Sequence, residues 1–131
     1  MKNLLTEQQI MLISGTRKGL GKSFVEYYSK KGFTIIGCSR KPIDYKIENY
    51  YHFCLDVSDE KKVKEMFLFI KKKFGRLDIL INNAGIGSMN HSLLTPISTV
   101  HRILNTNLVA NFLMSRESAK IMKKNKFGRI I

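Results

Sequence analysis

Three glycines near the start of this 131-residue chain are the residues best placed to do chemistry. Gly15, Gly19 and Gly21 follow a short apolar run at residues 10–14, and apolar residues at helical spacing come after them. A turn between a buried strand and a helix can direct backbone N–H groups and the positive end of the helix dipole at a phosphate, provided that no Cβ blocks the approach. The pattern therefore predicts a phosphate-binding turn at residues 14–21. The alternative is a structural turn whose glycines serve only the backbone.

The segments that must position this turn alternate between strand and helix. Strands are predicted at residues 10–14, 33–38, 51–55, 77–81 and 130–131, and helices at residues 19–31, 58–74 and 96–124. Ser58 is the predicted N-cap of the second helix, and Pro96 suits the first turn of the third. The alternation predicts one α/β domain over residues 1–131. It is a Rossmann-type doubly wound parallel sheet, incomplete because the chain ends at the start of the fifth strand.

Composition narrows the class of protein. Hydrophobic residues make up 44% of the chain and charged residues 25%, which excludes a disordered protein. No apolar run is long enough to span a bilayer, and Glu7 interrupts the first segment, so neither a membrane span nor a signal peptide is predicted. Cys38 and Cys54 have no CxxC spacing and no histidine partner nearby. They are predicted to be reduced core residues of a cytoplasmic protein.

The net charge of +13 has two interpretations. It can attract phosphate groups on a nucleotide, a nucleic acid or an anionic carrier, or it can belong to a solvated, lysine-rich surface. A nucleic-acid-binding protein would need a basic stripe with stacking aromatic residues or a DNA-binding helix pattern, and the sequence contains neither. His52, His91 and His101 do not have the spacing of metal ligands, so no metal site is predicted.

The glycine spacing separates this turn from the common dinucleotide fingerprint, which is Gly-x-Gly-x-x-Gly. Gly-x-x-x-Gly-x-Gly preceded by Ser14 resembles the Thr-Gly-x-x-x-Gly-x-Gly motif of the short-chain dehydrogenases/reductases. Further segments are similar to motifs of that family in the same order: Asp56-Val57, Asn82-Asn83-Ala84-Gly85, Asn107 within Asn105-Thr106-Asn107-Leu108, and the ending Gly128-Arg129-Ile130-Ile131. The resemblance covers essentially the whole chain, but only about the first half of a typical domain of the family.

The resemblance implies a nicotinamide dinucleotide cofactor. The contacts that it implies are Gly15, Arg17, Lys18, Gly19, Leu20, Gly21, Ser39, Arg40, Asp56, Val57, Asn83, Ala84 and Gly85. A carboxylate after the second strand would bond the ribose hydroxyls and repel a 2′-phosphate, whereas an arginine attracts it. Here Ser39 and Arg40 follow that strand, Ser39 can donate a further hydrogen bond, and Lys18 adds a second cation. NADP(H) is therefore the predicted cofactor, and the alternative for Arg40 is an exposed loop charge.

Catalysis in the family moves a hydride between the nicotinamide and a carbonyl or alcohol carbon, with a tyrosine as proton donor or acceptor. Asn107 matches the asparagine of the catalytic set, and its alternative is a structural polar contact inside a helix. The serine and the Tyr-x-x-x-Lys of the family would follow Ile131, so we expect this chain alone to be inactive. Tyr27 and Lys31 share that spacing, but they lie on the first helix, where Tyr27 is predicted to be a packing residue.

Residues 90–129 look most like the 3-oxoacyl-carrier-protein reductases. The resemblance implies a small-molecule or carrier-bound carbonyl substrate and a homo-oligomer at full length, without a nucleic-acid or membrane partner. The competing hypothesis is a module that binds NADP(H) without turnover. Because an open fifth strand and an uncovered helix face promote association, we expect the chain alone to be marginally stable or to aggregate.

Overall fold

A computed structural model describes residues 8–131 as an α/β fold with one parallel sheet. The strands are β1 (Ile10–Ser14), β2 (Thr34–Ser39), β3 (Tyr50–Cys54), β4 (Ile79–Ile81) and β5 (Arg129–Ile130). The helices are α1 (Gly19–Lys30), α2 (Glu60–Lys73), α3 (Ile97–Leu104) and α4 (Ala110–Asn125). The strand order β3-β2-β1-β4-β5 confirms the predicted Rossmann-type sheet. The signal-peptide prediction concerns residues 1–7, which lie outside the described residues.

The central strand β1 is buried on both faces, which explains its unbroken apolar run. Ile10 and Leu12 pack in a cluster with side chains of α2 and α4. Met11 and Ile13 point the other way and pack with Val25 of α1. Helices therefore cover both faces of the sheet, and β1 carries the glycine turn from its buried carboxyl end. No helix within residues 8–131 is long and apolar enough to cross a membrane.

Asp78 joins the amino ends of the central strands and is only 1% exposed. Its Oδ2 accepts a hydrogen bond from the Ile10 N–H at 2.7 Å, and its Oδ1 accepts one from Arg76 Nη2 at 2.8 Å. Its backbone N–H donates to the Ile10 carbonyl, and its carbonyl accepts from the Arg129 N–H, both at 2.9 Å. One buried residue thus joins β1, β4 and β5.

Asp78→Ala should lower the free energy of unfolding by about 2 kcal/mol, because it leaves the buried Ile10 N–H without its hydrogen-bond acceptor. Urea unfolding followed by circular dichroism measures the change. Asp44→Ala is the matched control, since Asp44 is exposed, and we expect an effect within about 0.5 kcal/mol there. Equal losses in the two variants would contradict the structural role of Asp78.

The third predicted helix is continuous but not regular. Pro96 is its N-cap, and a π-helical segment, Asn105–Val109, separates α3 from α4. Such a segment inserts an extra residue into a helical turn and is frequent at functional sites. Here it contains Asn107, the residue whose motif points to catalysis.

Two side-chain environments differ from the prediction. Cys38 is buried as expected, but Cys54 is exposed because it ends the edge strand β3, and its thiol donates to the Arg40 carbonyl at 3.3 Å. Tyr27 is 57% exposed and so is not a core residue. Its ring meets Tyr28 edge-on, and Lys31 Nζ lies 5.6 Å from its centroid. The Tyr-x-x-x-Lys spacing in α1 therefore produces a surface pair.

Candidate functional site

A cavity of about 640 Å³ opens at the carboxyl ends of the strands. It lies where ligands bind in open α/β sheets, outside the point at which the strand order reverses. The predicted contacts that line it are Gly15, Arg17, Lys18, Ser39, Arg40, Asp56, Val57, Asn83, Ala84 and Gly85. Gly19, Leu20 and Gly21 are not part of the lining and shape the site from the first turn of α1.

The glycine turn has the backbone geometry that its sequence predicts. Gly15 and Gly19 have φ of +75° and +61°, a region that side chains disfavour. A Cβ on Gly21 would overlap the Gly15 carbonyl oxygen, whereas a Cβ on Gly19 would meet nothing within 4 Å. Gly21 therefore lets α1 pack on the turn, and Gly19 leaves open space beside it. Within the described chain no side chain caps α1, whose N-cap is Lys18. Its first N–H groups can therefore face an anion.

A clamp of polar groups ties the glycine turn to the loop after β4. Ser14 Oγ accepts hydrogen bonds from the backbone N–H groups of Asn83 and Ala84, at 3.0 and 2.9 Å. Asn83 Nδ2 donates to the carbonyls of Ser14 and Gly15, at 3.0 and 3.1 Å. The amide N–H groups of Asn83 are thus occupied within the protein, and its contribution to the site is to fix the turn. Ala84 and Gly85 present the loop to the cavity.

Four cations line the cavity, and we call Arg17, Lys18, Arg40 and Lys41 the basic rim. Arg17 and Lys18 come from the glycine turn, and Arg40 and Lys41 come from the loop after β2. Among the described residues, no carboxylate forms an ion pair with any of the four, although Arg40 acts on Asp56 at longer range. Unpaired cations beside an open helix N-terminus favour a ligand with more than one phosphate group.

Asp56 follows β3 and lines the same cavity. Burial tends to raise the pKa of its carboxyl, but hydrogen bonds from the Ser58 N–H and hydroxyl, with the charge of Arg40, lower the pKa overall. Ser58 is therefore not the N-cap of α2, and that prediction was wrong. Asp59 takes the position and accepts from the Lys62 N–H at 3.2 Å. Because α2 begins at Glu60, its N-cap position falls on Asp59, and Ser58 lies one residue too early to cap it.

Asn107 binds the loop after β4 through both atoms of its amide. Its Nδ2 donates to the Ile86 carbonyl at 2.7 Å, and its Oδ1 accepts from the Ile86 N–H at 2.9 Å. Asn111 Nδ2 donates to the Asn107 carbonyl at 2.9 Å inside the π-helical region. The structural polar contact that the sequence left open as an alternative is therefore present.

A protein-family model described as short chain dehydrogenase matches residues 9–131. The chain belongs to the short-chain dehydrogenase family. It is 38% identical over 135 residues to the 3-oxoacyl-acyl-carrier-protein reductase FabG of Buchnera aphidicola subsp. Baizongia pistaciae, covering 96% of this chain and 54% of that one. It is 36% identical over 124 residues to an uncharacterized oxidoreductase of Schizosaccharomyces pombe, covering 92% of this chain and 42% of the relative. The chain thus spans about half the length of the relatives it matches.

Solved structures agree with the family assignment. ElxO with NADP bound superposes with a TM-score of 0.86 at 31% identity, over 95% of this chain and 54% of ElxO. A short chain dehydrogenase from Leptospira borgpetersenii with bound NAD⁺ gives a TM-score of 0.88 at 26% identity, over 95% of this chain and 50% of that one. The two proteins carry different dinucleotides, so the choice of cofactor has to be argued from this chain's own residues.

Five further residues of this short-chain dehydrogenase line the cavity without having been predicted: Cys38, Lys41, Leu55, Ile86 and Thr106. Each is adjacent in sequence to a residue that was predicted. Its position at the end of a predicted strand or motif was the signal that could have identified it. Lys41 repeats the charge of Arg40 and was the easiest to find. Burial raises the pKa of the Cys38 thiol to about 12, so the thiol is protonated at neutral pH and is not a nucleophile.

Proposed function

We propose that this chain binds NADP(H) in the cavity, as the cofactor-binding part of a reductase that acts on a carbonyl or alcohol substrate. The observation that carries the proposal is the basic rim. Two loops each contribute two cations beside the open N-terminus of α1, and Ser39 and Arg40 stand where a carboxylate would select NAD(H).

Different residues of the cavity are proposed to contact different parts of the cofactor. The first-turn N–H groups of Gly19, Leu20 and Gly21 face the pyrophosphate, where the missing Cβ of Gly19 leaves room. Arg17, Lys18, Ser39 and Arg40 surround the 2′-phosphate, and Asp56 and Val57 contact the adenine. Ala84 and Gly85 lie toward the nicotinamide, which supplies or accepts the hydride when it is bound.

Asn107 is the proposed member of the catalytic set in this chain. Its amide holds the Ile86 backbone, which follows the Ala84-Gly85 segment directly, and so fixes one wall of the nicotinamide end. The similarity to FabG reductases supports a carrier-bound 3-oxoacyl substrate. We further propose, from the family resemblance alone, that the full-length protein is cytoplasmic and homo-oligomeric. Because both polar atoms of the Asn107 amide already bond the Ile86 backbone, a binding module without turnover is the second candidate.

NADPH should bind this chain at least about tenfold more tightly than NADH, a difference of about 1.4 kcal/mol. The physical reason is that only NADPH carries a 2′-phosphate for the basic rim to attract. Titration of each reduced dinucleotide by its own fluorescence gives both dissociation constants. The preference should shrink as salt is raised, because these cations are solvent-accessible. Equal affinities at low salt would contradict the cofactor assignment. Turnover of a 3-oxoacyl thioester, assayed with the full-length protein, separates the two candidates.

A further inference from the structure

A chain of hydrogen bonds runs behind the basic rim, and we call Thr16, Tyr50, His52 and Ser39 the His52 network. Thr16 Oγ1 lies 2.7 Å from the Tyr50 hydroxyl. That hydroxyl lies 2.8 Å from His52 Nδ1. His52 Nε2 lies 3.0 Å from Ser39 Oγ, which donates to the Lys41 carbonyl at 2.7 Å. The cofactor contacts described above account for Ser39 alone among these four residues.

The bond from Ser39 to Lys41 favours one assignment of protons in the network. The Ser39 hydroxyl donates its only proton to the Lys41 carbonyl, so the Ser39 oxygen accepts a hydrogen bond from the His52 Nε2–H. His52 Nδ1 then accepts from the Tyr50 hydroxyl, which in turn accepts from Thr16. Burial lowers the pKa of His52, so the ring is neutral at neutral pH, as this tautomer requires. Burial also raises the pKa of Tyr50, which keeps the phenol protonated as a donor.

The network joins the two halves of the basic rim. Thr16 immediately precedes Arg17 and Lys18 in the chain, and Ser39 and Lys41 flank Arg40. Sheet pairing brings them together, because Gly37 is in register with His52, and Ser39 with Cys54. Gly37 is needed here for space, since a Cβ would overlap the Tyr50 hydroxyl and lie 2.6 Å from Thr16 Oγ1.

A second bond holds the Thr16 end of the network. The Tyr45 hydroxyl donates to the Thr16 carbonyl at 2.6 Å, and the Tyr45 ring stacks on Tyr50 with centroids 5.9 Å apart. Thr16 itself is fully buried. The Gly15 and Thr16 N–H groups also donate to the Cys38 carbonyl, at 2.8 and 3.1 Å. The glycine turn is therefore fixed to the end of β2 at its buried side, and the His52 network extends this link to Ser39, at the start of the loop after β2.

We propose that His52 is a positioning residue for the 2′-phosphate, because its ring links Tyr50, bonded to Thr16 beside Arg17-Lys18, to Ser39 beside Arg40-Lys41. The inference rests on the proposed NADP(H) function and adds a residue that does not touch the cofactor. It also changes the role of Ser39. The sequence suggested a hydroxyl that donates to phosphate, whereas in the structure that proton binds Lys41 and the oxygen binds His52.

The test is the ratio of NADPH to NADH affinity in variants of the full 131-residue chain. His52→Leu removes both ring nitrogens and should weaken NADPH binding by about three- to tenfold, the effect of a lost hydrogen bond, with NADH binding within about twofold. His52→Gln keeps one acceptor and one donor at similar separation and should restore most of the ratio. Tyr50→Phe keeps the ring but breaks the network, and should act like His52→Leu even if that variant folds poorly.

Tyr51→Phe is the matched control on the same strand. The Tyr51 ring packs on the other face of the sheet against Phe69 and Phe74, so the loss of its hydroxyl should leave the ratio unchanged. Equal weakening of NADPH and NADH in His52→Leu and Tyr50→Phe would overturn the inference, because it would show a general structural effect. An unchanged ratio in both variants would overturn it as well, while leaving the cofactor proposal intact. A wild-type chain that binds neither dinucleotide would overturn both.

Discussion

Gly21→Ala should weaken dinucleotide binding by about 100-fold, equal to about 2.8 kcal/mol. The added Cβ would overlap the Gly15 carbonyl oxygen and lie 2.7 Å from Asn83 Nδ2 and 2.8 Å from the Gly15 carbonyl carbon. These atoms belong to the turn and to the clamp that holds it, so neither can move without displacing the first turn of α1. Fluorescence titration with NADPH measures the loss, and thermal unfolding reports the accompanying destabilisation.

Gly32→Ala is the control that separates binding from stability. Gly32 has φ of +85°, a Cβ added there would meet nothing within 4 Å, and the residue follows α1 at the end remote from the glycine turn. The substitution should cost about 1 to 2 kcal/mol of stability through backbone strain alone, with NADPH affinity within about twofold. If Gly21→Ala folds and binds NADPH as well as Gly32→Ala does, the turn is not the phosphate site.

Local patterns were enough to predict the main features of the site. The apolar run of β1, the three glycines and the helical spacing after them are contiguous in the chain, so their sequence alone predicts a strand, a turn and an open helix N-terminus. The alternation of strands and helices likewise predicted the parallel sheet. Asp56 and Asn83 were identified through the resemblance to family motifs, and both lie shortly after strands whose carboxyl ends meet at one edge of the sheet.

The features that sequence could not predict depend on which strands pair and in what register. Ser39 was expected to donate to phosphate, but the β2–β3 register brings His52 to its hydroxyl and leaves its proton for Lys41. Ser58 has the residue type of an N-cap, yet α2 begins at Glu60, so Asp59 occupies the capping position. The π-helical segment gave no periodic signal, since one extra residue in a long helix does not break an apolar pattern.

Arg40→Asp should invert the cofactor preference, changing the NADPH-to-NADH affinity ratio by about 100-fold or more. The substitution removes a cation that attracts the 2′-phosphate and installs a carboxylate at the end of β2. There it would accept hydrogen bonds from the ribose hydroxyls of NADH and repel the extra phosphate of NADPH. Asp56 already lies in the cavity, so a second carboxylate strengthens the repulsion. Separate titrations with the two dinucleotides at low salt measure the ratio.

The matched control for Arg40→Asp is Lys46→Asp, which makes the same change in net charge at an exposed position outside the cavity lining. Long-range attraction depends on the total charge of +13 and should fall equally in both variants. Only Arg40→Asp also changes the charge inside the cavity. Lys46→Asp should therefore keep the wild-type ratio of NADPH to NADH affinity within about twofold. Similar ratios in the two variants would show that NADPH is held by the overall charge of the protein and not by the loop after β2.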